Sequence, residues 1–169
     1  MSVKGKPNKK KWPRKILGEM INFLEEVTPE GLSLGSISEH TGCSKSSISN
    51  LFVHDDMKLS KAEEIAEMYG YTLRLFFPER RYEDGYVPAP PKKSYPDAGN
   101  LKGLVKYIQD SEYSINFVAE RNNMSSNVLN RAFKCGDISL STLYRVLDSL
   151  NLCVLWRFEK TDNESDNQN

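Results

Sequence analysis

Long apolar runs are missing from this chain: none approaches the roughly 20 residues that a membrane-spanning helix requires. No membrane partner is therefore expected. The amino-terminal lysines are followed by no apolar stretch, so no signal peptide is read there and a cytoplasmic location is expected. Cysteine is scarce as well. Cys43, Cys135 and Cys153 cannot pair completely, and they fall among apolar positions, as reduced packing cysteines do. Histidine occurs only at His40 and His54. With Cys43 these form H-x2-C-x10-H, but Cys43 is needed as an inward-pointing apolar residue while His40 should face solvent, so no metal site is expected. Glu25–Glu26 and Glu63–Glu64 are adjacent acids on helices and cannot both face one point. There is no P-loop, no dinucleotide fingerprint and no nucleophile elbow. Without a catalytic set or a cofactor motif, the chain reads as a non-enzyme.

Net charge is also absent, since 23 basic residues balance 23 acidic ones. The balance hides a partition. Residues 1–11 hold five lysines and no acid, whereas residues 12–80 hold seven basic and eleven acidic residues. Residues 101–160 carry eight basic and six acidic residues, and the last nine add three acids. A basic arm thus stands in front and an acidic tail behind.

What the chain does have is an internal repeat. Residues 33–77, moved forward by 81 positions, fall on 114–158 without a gap. The register pairs Ser33 with Ser114, Glu39 with Glu120, Ser44 with Ser125 and Phe52 with Phe133. Further on it pairs Asp56 with Asp137, Leu59 with Leu140, Ser60 with Ser141 and Phe77 with Phe158. Repeats are read first because they set the fold. Two cores of roughly 60–70 residues would each be thin, so the repeats are expected to pack on each other.

Five segments follow. Residues 1–11 are a disordered basic arm, and 12–78 the first repeat with its carboxy-terminal strand. Residues 79–100 are a proline-rich linker, 101–160 the second repeat with its strand, and 161–169 a disordered acidic tail. In the first repeat, Ile16, Leu17, Met20, Ile21, Leu24 and Val27 form the apolar face of a helix entered at Pro13. Short helices follow over about Leu34–Thr41 and from the Ser44 cap to Phe52, then a helix capped by Ser60 and ending at Gly70. Tyr71–Phe77 alternates as a strand. The second repeat gives helices over about Leu101–Asp110, Ile115–Asn122 and Ser126–Phe133, one beginning at Ser141, and a strand at Leu152–Phe158. An isolated strand leaves its backbone groups unpaired. Tyr71–Phe77 is therefore expected to pair antiparallel with Leu152–Phe158 about a pseudo-two-fold, making the monomer a pseudo-dimer. A homodimer of the whole chain is the alternative.

The middle of each repeat carries the chemistry. A turn between two short helices needs a small residue where the helices cross, a tight turn, and apolar residues that fix the angle. The first copy offers Ser38, Gly42 and the buried set Leu34, Ile37, Cys43, Ile48 and Leu51. The second offers Ala119, Asn123 and the set Ile115, Val118, Met124, Leu129 and Ala132. Asn123 stands where the first copy has glycine, and asparagine also accepts a left-handed conformation.

These segments, LGSISEHTGCSKSSISNLF and INFVAERNNMSSNVLNRAF, resemble the core motif of the lambda-repressor-like (Cro/CI, XRE-type) helix-turn-helix family. KLSKAEEIAEMYGYTLRLFF and SLSTLYRVLDSLNLCVLWRF are similar to the helix and strand that follow it. The resemblance covers about residues 13–77 and 101–158. It implies a mainly α fold of two tandem helix-turn-helix bundles, each ending in one β-strand, with the third helix of each in the DNA major groove. The expected partner is double-stranded DNA, and the expected role is a bacterial, phage or plasmid transcriptional regulator, such as a repressor. By position, base readers would be Lys45, Ser46, Ser49 and Asn50 on the first recognition helix, with Ser126, Asn127, Asn130 and Arg131 on the second. Asparagine can read adenine and arginine can read guanine, each bidentate pair being worth about 1–3 kcal/mol. Because the helices differ, two unlike half-sites about one turn apart, roughly 34 Å, are expected. Lys9, Lys10, Lys11 and Arg14 would reach the backbone or the minor groove. Asp55 and Asp56 run against this, since they follow the first recognition helix where donors to phosphate are common. The alternative function is a protein-interaction module, antitoxin-like or a phage accessory factor, that keeps the fold with little or no DNA binding.

Overall fold

The computed structural model describes residues 12–78, 100–110 and 113–161. The lysine arm, nearly all of the linker and all but the first residue of the acidic tail lie outside the described residues. Among the described residues the fold is mainly helical, with one small antiparallel sheet. In chain order the elements are α1 (Gly18–Val27), α2 (Leu34–Thr41), α3 (Lys45–Val53), α4 (Leu59–Met68) and β1 (Tyr71–Phe76). The same order then recurs as α5 (Asn100–Asp110), α6 (Ile115–Arg121), α7 (Ser126–Cys135), α8 (Leu140–Ser149) and β2 (Leu155–Lys160). Helices α6, α7 and α8 each begin 81 residues after α2, α3 and α4.

The backbone repeats at a finer level. Left-handed φ values occur at Gly42 (73°) and Asn123 (53°), at Asp55 (53°) and Gly136 (70°), and at Gly70 (84°) and Asn151 (59°). Members of each pair are 81 positions apart. Every position is filled by Gly, Asn or Asp, the residue types that tolerate this conformation. Asn123 thus does what its replacement of glycine predicts.

The chain divides into two compact units, Met1–Met57 and Lys58–Asn169. In the first, α1 buries Met20, Ile21, Phe23 and Leu24, α2 buries Ile37, and α3 buries Ile48 and Phe52. Helix α1 starts at Gly18 rather than at Pro13, because its N-terminus is held from a distance. The carboxylate of Asp55 accepts the backbone N–H of Ile16 (2.9 Å) and of Leu17 (2.8 Å). Trp12 stacks on Phe52, with centroids 4.6 Å apart and planes at 16°, which holds the incoming segment outside the helix.

The second unit contains α4, β1, α5–α8 and β2. Strands β1 and β2 pair antiparallel, as expected, but β2 starts three residues later than the sequence pattern suggests. Leu152 is the cause: its N–H returns to the Leu147 carbonyl (2.9 Å) at the end of α8, and its side chain is buried. Chain pairing begins with the Cys153 N–H on the Pro78 carbonyl (2.8 Å). In the ladder, Leu75 faces Trp156, and an isolated antiparallel bridge joins Lys58 to Ser139. Each of these pairs joins residues 81 positions apart.

Two helix starts are shifted from expectation. Helix α4 is entered at Lys58 and not capped by Ser60. Ser60 is its second residue, and its N–H (3.0 Å) and hydroxyl (2.8 Å) both donate to the Asp137 carboxylate. Helix α8 begins at Leu140 rather than at Ser141, capped by Ser139, whose hydroxyl oxygen accepts the Thr142 N–H. Cysteine packing also differs, since Cys135, at the end of α7, is exposed and Cys43 and Cys153 are half-buried. Among the described residues no helix is long and apolar enough to cross a membrane.

Candidate nucleic-acid interface

Each pair of short helices is joined by a tight, hydrogen-bonded turn that leaves one face of its second helix outward. Between α2 and α3 the left-handed Gly42 donates its N–H to the Ser38 carbonyl (2.9 Å). The Ser38 hydroxyl, at the small-residue position, donates to the Cys43 carbonyl (2.6 Å). Between α6 and α7, Met124 donates its N–H to the carbonyl of Ala119 (3.0 Å), a residue with 1% exposure. A side chain larger than Ser or Ala would separate the helices at these points. The turn is held further by Arg145, whose guanidinium donates to the Asn122 carbonyl (2.5 Å).

On α3, Ile48 and Phe52 anchor the helix and leave Lys45, Ser46 and Asn50 exposed, with Ser49 half-buried. Ser44 is spent on the helix start, accepting the Ser47 N–H (3.2 Å) and donating to the Ser47 hydroxyl (2.7 Å). Lys45 lies back toward the first turn of α2. A Cβ built on Gly35 would meet its Cε at 3.7 Å and its Nζ at 3.9 Å. An ammonium thus stands beside a helix N-terminus whose second residue has no side chain, a combination that favours an anion.

On α7 only Leu129 is fully buried. Asn127, Asn130 and Arg131 are exposed and Ser126 is half-buried. Asn130 also borders a recess of about 390 Å³ lined by Ile108, Tyr113 and Asn116 among others. Sequence reasoning passed over two residues of this helix, Val128 and Lys134, which are exposed as well. The signal was present: with Leu129 assigned inward, 128 falls beside the Asn127–Arg131 row rather than on the core side. Tyr113, just before α6, stacks on Phe117 of that helix at 5.3 Å, and the Arg121 guanidinium lies 5.8 Å from the Phe117 centroid.

Two of the acids that follow the outward helices, Asp55 and Asp137, are engaged. Asp55 is only 8% exposed, with its carboxylate turned onto the start of α1. Asp137 serves Ser60 and the Ile138 N–H. Glu63 is held above the ordinary glutamate range by burial first, and then by Glu67 and Asp137. Among the cations of the expected arm, Arg14 is ion-paired with Glu25 (2.9 Å) and donates to Asn22 (2.8 Å). Lys9, Lys10 and Lys11 lie outside the described residues. The described residues contain no group of three or more potential metal ligands.

Compared with protein-family models, curated proteins and solved structures, the chain matches none of them. Its functional reading therefore rests on residues and geometry alone.

Proposed function

We propose that this chain is a sequence-specific double-stranded DNA-binding transcriptional regulator. It is built from two tandem lambda-repressor-like helix-turn-helix copies and acts by occupying an operator. The observation that carries the reading is the recurrence, 81 residues apart, of a tight left-handed turn followed by a serine-capped helix with a polar outward face. That face is the right size and chemistry for a major groove, where asparagine and arginine meet base edges. On α3, Ser49 and Asn50 serve the bases, while Lys45, placed over the start of α2, suits a backbone phosphate. On α7, Asn127, Asn130 and Arg131 are the readers. The pairing of equivalent residues at Leu75–Trp156 and Lys58–Ser139, all within the second unit, supports a local two-fold between the trailing elements of the two copies. Inward use of Asp55 removes one objection, since that acid does not confront phosphate.

Selection of bound sites from a random duplex library at moderate salt tests the reading. Two unlike motifs at a fixed spacing are expected. Arg131→Ala should then cost about 1–3 kcal/mol on the selected site and relax the preference at one base. Asn50→Ala should act likewise in the other motif. Absence of any enriched sequence would sink the proposal. It would favour the second reading, a protein-interaction module, for which the exposed Tyr113–Phe117 stack is the supporting observation.

A further inference from the structure

Resting on that reading, we propose that Val128 reads the 5-methyl group of a thymine in the half-site served by α7. Val128 is 61% exposed, the most exposed large apolar side chain among the described residues. Among the described residues nothing accounts for valine there. The burial that anchors α7 is supplied by Leu129, which is 1% exposed. A β-branched residue in a solvent-facing helix turn is also a poor helix former.

Its neighbours supply the context. Val128 follows Asn127 directly and precedes Arg131 by three positions, and both of these polar side chains are exposed. An apolar surface two methyl groups wide is thus set into a row of hydrogen-bonding side chains. In the major groove only thymine, among the four bases, presents a methyl group, and it is recognised by apolar contact. Contact removes both surfaces from water and needs no hydrogen-bond partner. The 81-residue register places Ser47 at the matching position of α3, and its hydroxyl accepts a hydrogen bond from Ser44 (2.7 Å). The two helices therefore differ chemically at this point, and methyl reading belongs to the second alone.

The experiment uses the full chain and the duplex recovered by selection, with deoxyuridine replacing each thymine in turn. Deoxyuridine keeps every base-pair hydrogen bond and removes only the methyl group. The expected result is a loss of about fourfold at one thymine in one half-site, the value of burying a single methyl-sized group, with little change elsewhere. Val128→Ser should bind thymine and uracil duplexes equally at that position, with the affinity that the unaltered chain shows for the uracil duplex. Val128→Thr, which keeps the side-chain shape and one methyl, should lie between the two and exclude misfolding as the cause. Tolerance of uracil at every position, or an undiminished thymine preference in Val128→Ser, overturns the assignment. A library that yields no duplex removes the DNA-binding reading itself, and this inference with it. A recovered duplex without methyl sensitivity removes this inference alone.

Discussion

Replacing Asp55 by glycine tests how the first unit is held. Two backbone donors at the start of α1 converge on the Asp55 carboxylate, Ile16 at 2.9 Å and Leu17 at 2.8 Å. Hydrogen bonds to a charged group contribute about 1.5–3 kcal/mol each, and a buried donor left unpaired costs about 1–3 kcal/mol. The Ile16 bond is only partly buried, so water can replace it, whereas the Leu17 bond is buried. The gross loss is then about 3–4 kcal/mol. Against this, Asp55 has φ of 53°, and glycine relieves about 1 kcal/mol of left-handed strain there. The net cost expected for Asp55→Gly is about 2–3 kcal/mol. Asp55→Asn keeps an acceptor and tolerates the same φ, so about 1–2 kcal/mol is expected. Urea unfolding followed by Trp12 fluorescence, in a Trp156→Phe background, reports on the unit that contains the stacked Trp12–Phe52 pair. A loss below about 0.5 kcal/mol would refute the capping role, since ordinary surface substitutions fall in that range. DNA affinity below the melting range should be unchanged. Tighter binding by Asp55→Gly would mean instead that the carboxylate faces phosphate.

Glu63 gives a pH prediction. Its folded-state pKa is raised by burial and by Glu67 and Asp137, so the native state binds more protons than the unfolded chain. Stability therefore falls as pH rises from the ordinary glutamate range through the raised value. Glu63→Gln should be more stable at neutral pH and flatter across that window; thermal melts from pH 4 to 8 that show no such difference would count against it. Trp156→Asp should cost about 2–4 kcal/mol. It removes the ring opposite Leu75 and the indole N–H bond to the Tyr144 hydroxyl, and an equally stable variant by urea unfolding would contradict the sheet. Asn123→Gly should gain about 0.5 kcal/mol, since φ is 53° at that turn, and a lowered melting temperature would show that the asparagine side chain is needed.

Local patterns carried much of this structure and long-range contacts carried the rest. The turn at Asn123 follows from backbone sterics within a few residues. Antiparallel pairing of the two strands follows from the impossibility of leaving either alone. The start of α1 was misread because Asp55, which holds it, lies 38 residues beyond Leu17. Ser60 looked like a cap in isolation, but its N–H and hydroxyl are drawn to Asp137, 77 positions away. The alternation of Leu152, Val154, Trp156 and Phe158 suggested a strand from Leu152, whereas that residue closes the end of α8. At the candidate interface, attention to hydrogen-bonding side chains selects Asn127, Asn130 and Arg131 and passes over the exposed Val128, because an exposed valine imitates a core residue in any apolar periodicity.

The ladder between β1 and β2 also bears on how this chain can change. In a symmetric pair of separate copies, every substitution near the axis appears twice, and a residue on the axis must fit itself. Here Leu75 meets Trp156, a small partner against a large one. Arg74 and Arg157 stand opposite each other, yet each has its own relief: Arg74 on Glu159 at 2.7 Å, and Arg157 over the Phe76 ring at 5.0 Å. At Leu75 and Trp156, which are equivalent in the 81-residue register, a symmetric pair of identical chains would have to place the same residue twice, whereas one polypeptide need not. A mutation in one half is then not copied into the other, so the outward face of either helix can change while its counterpart stays as it was.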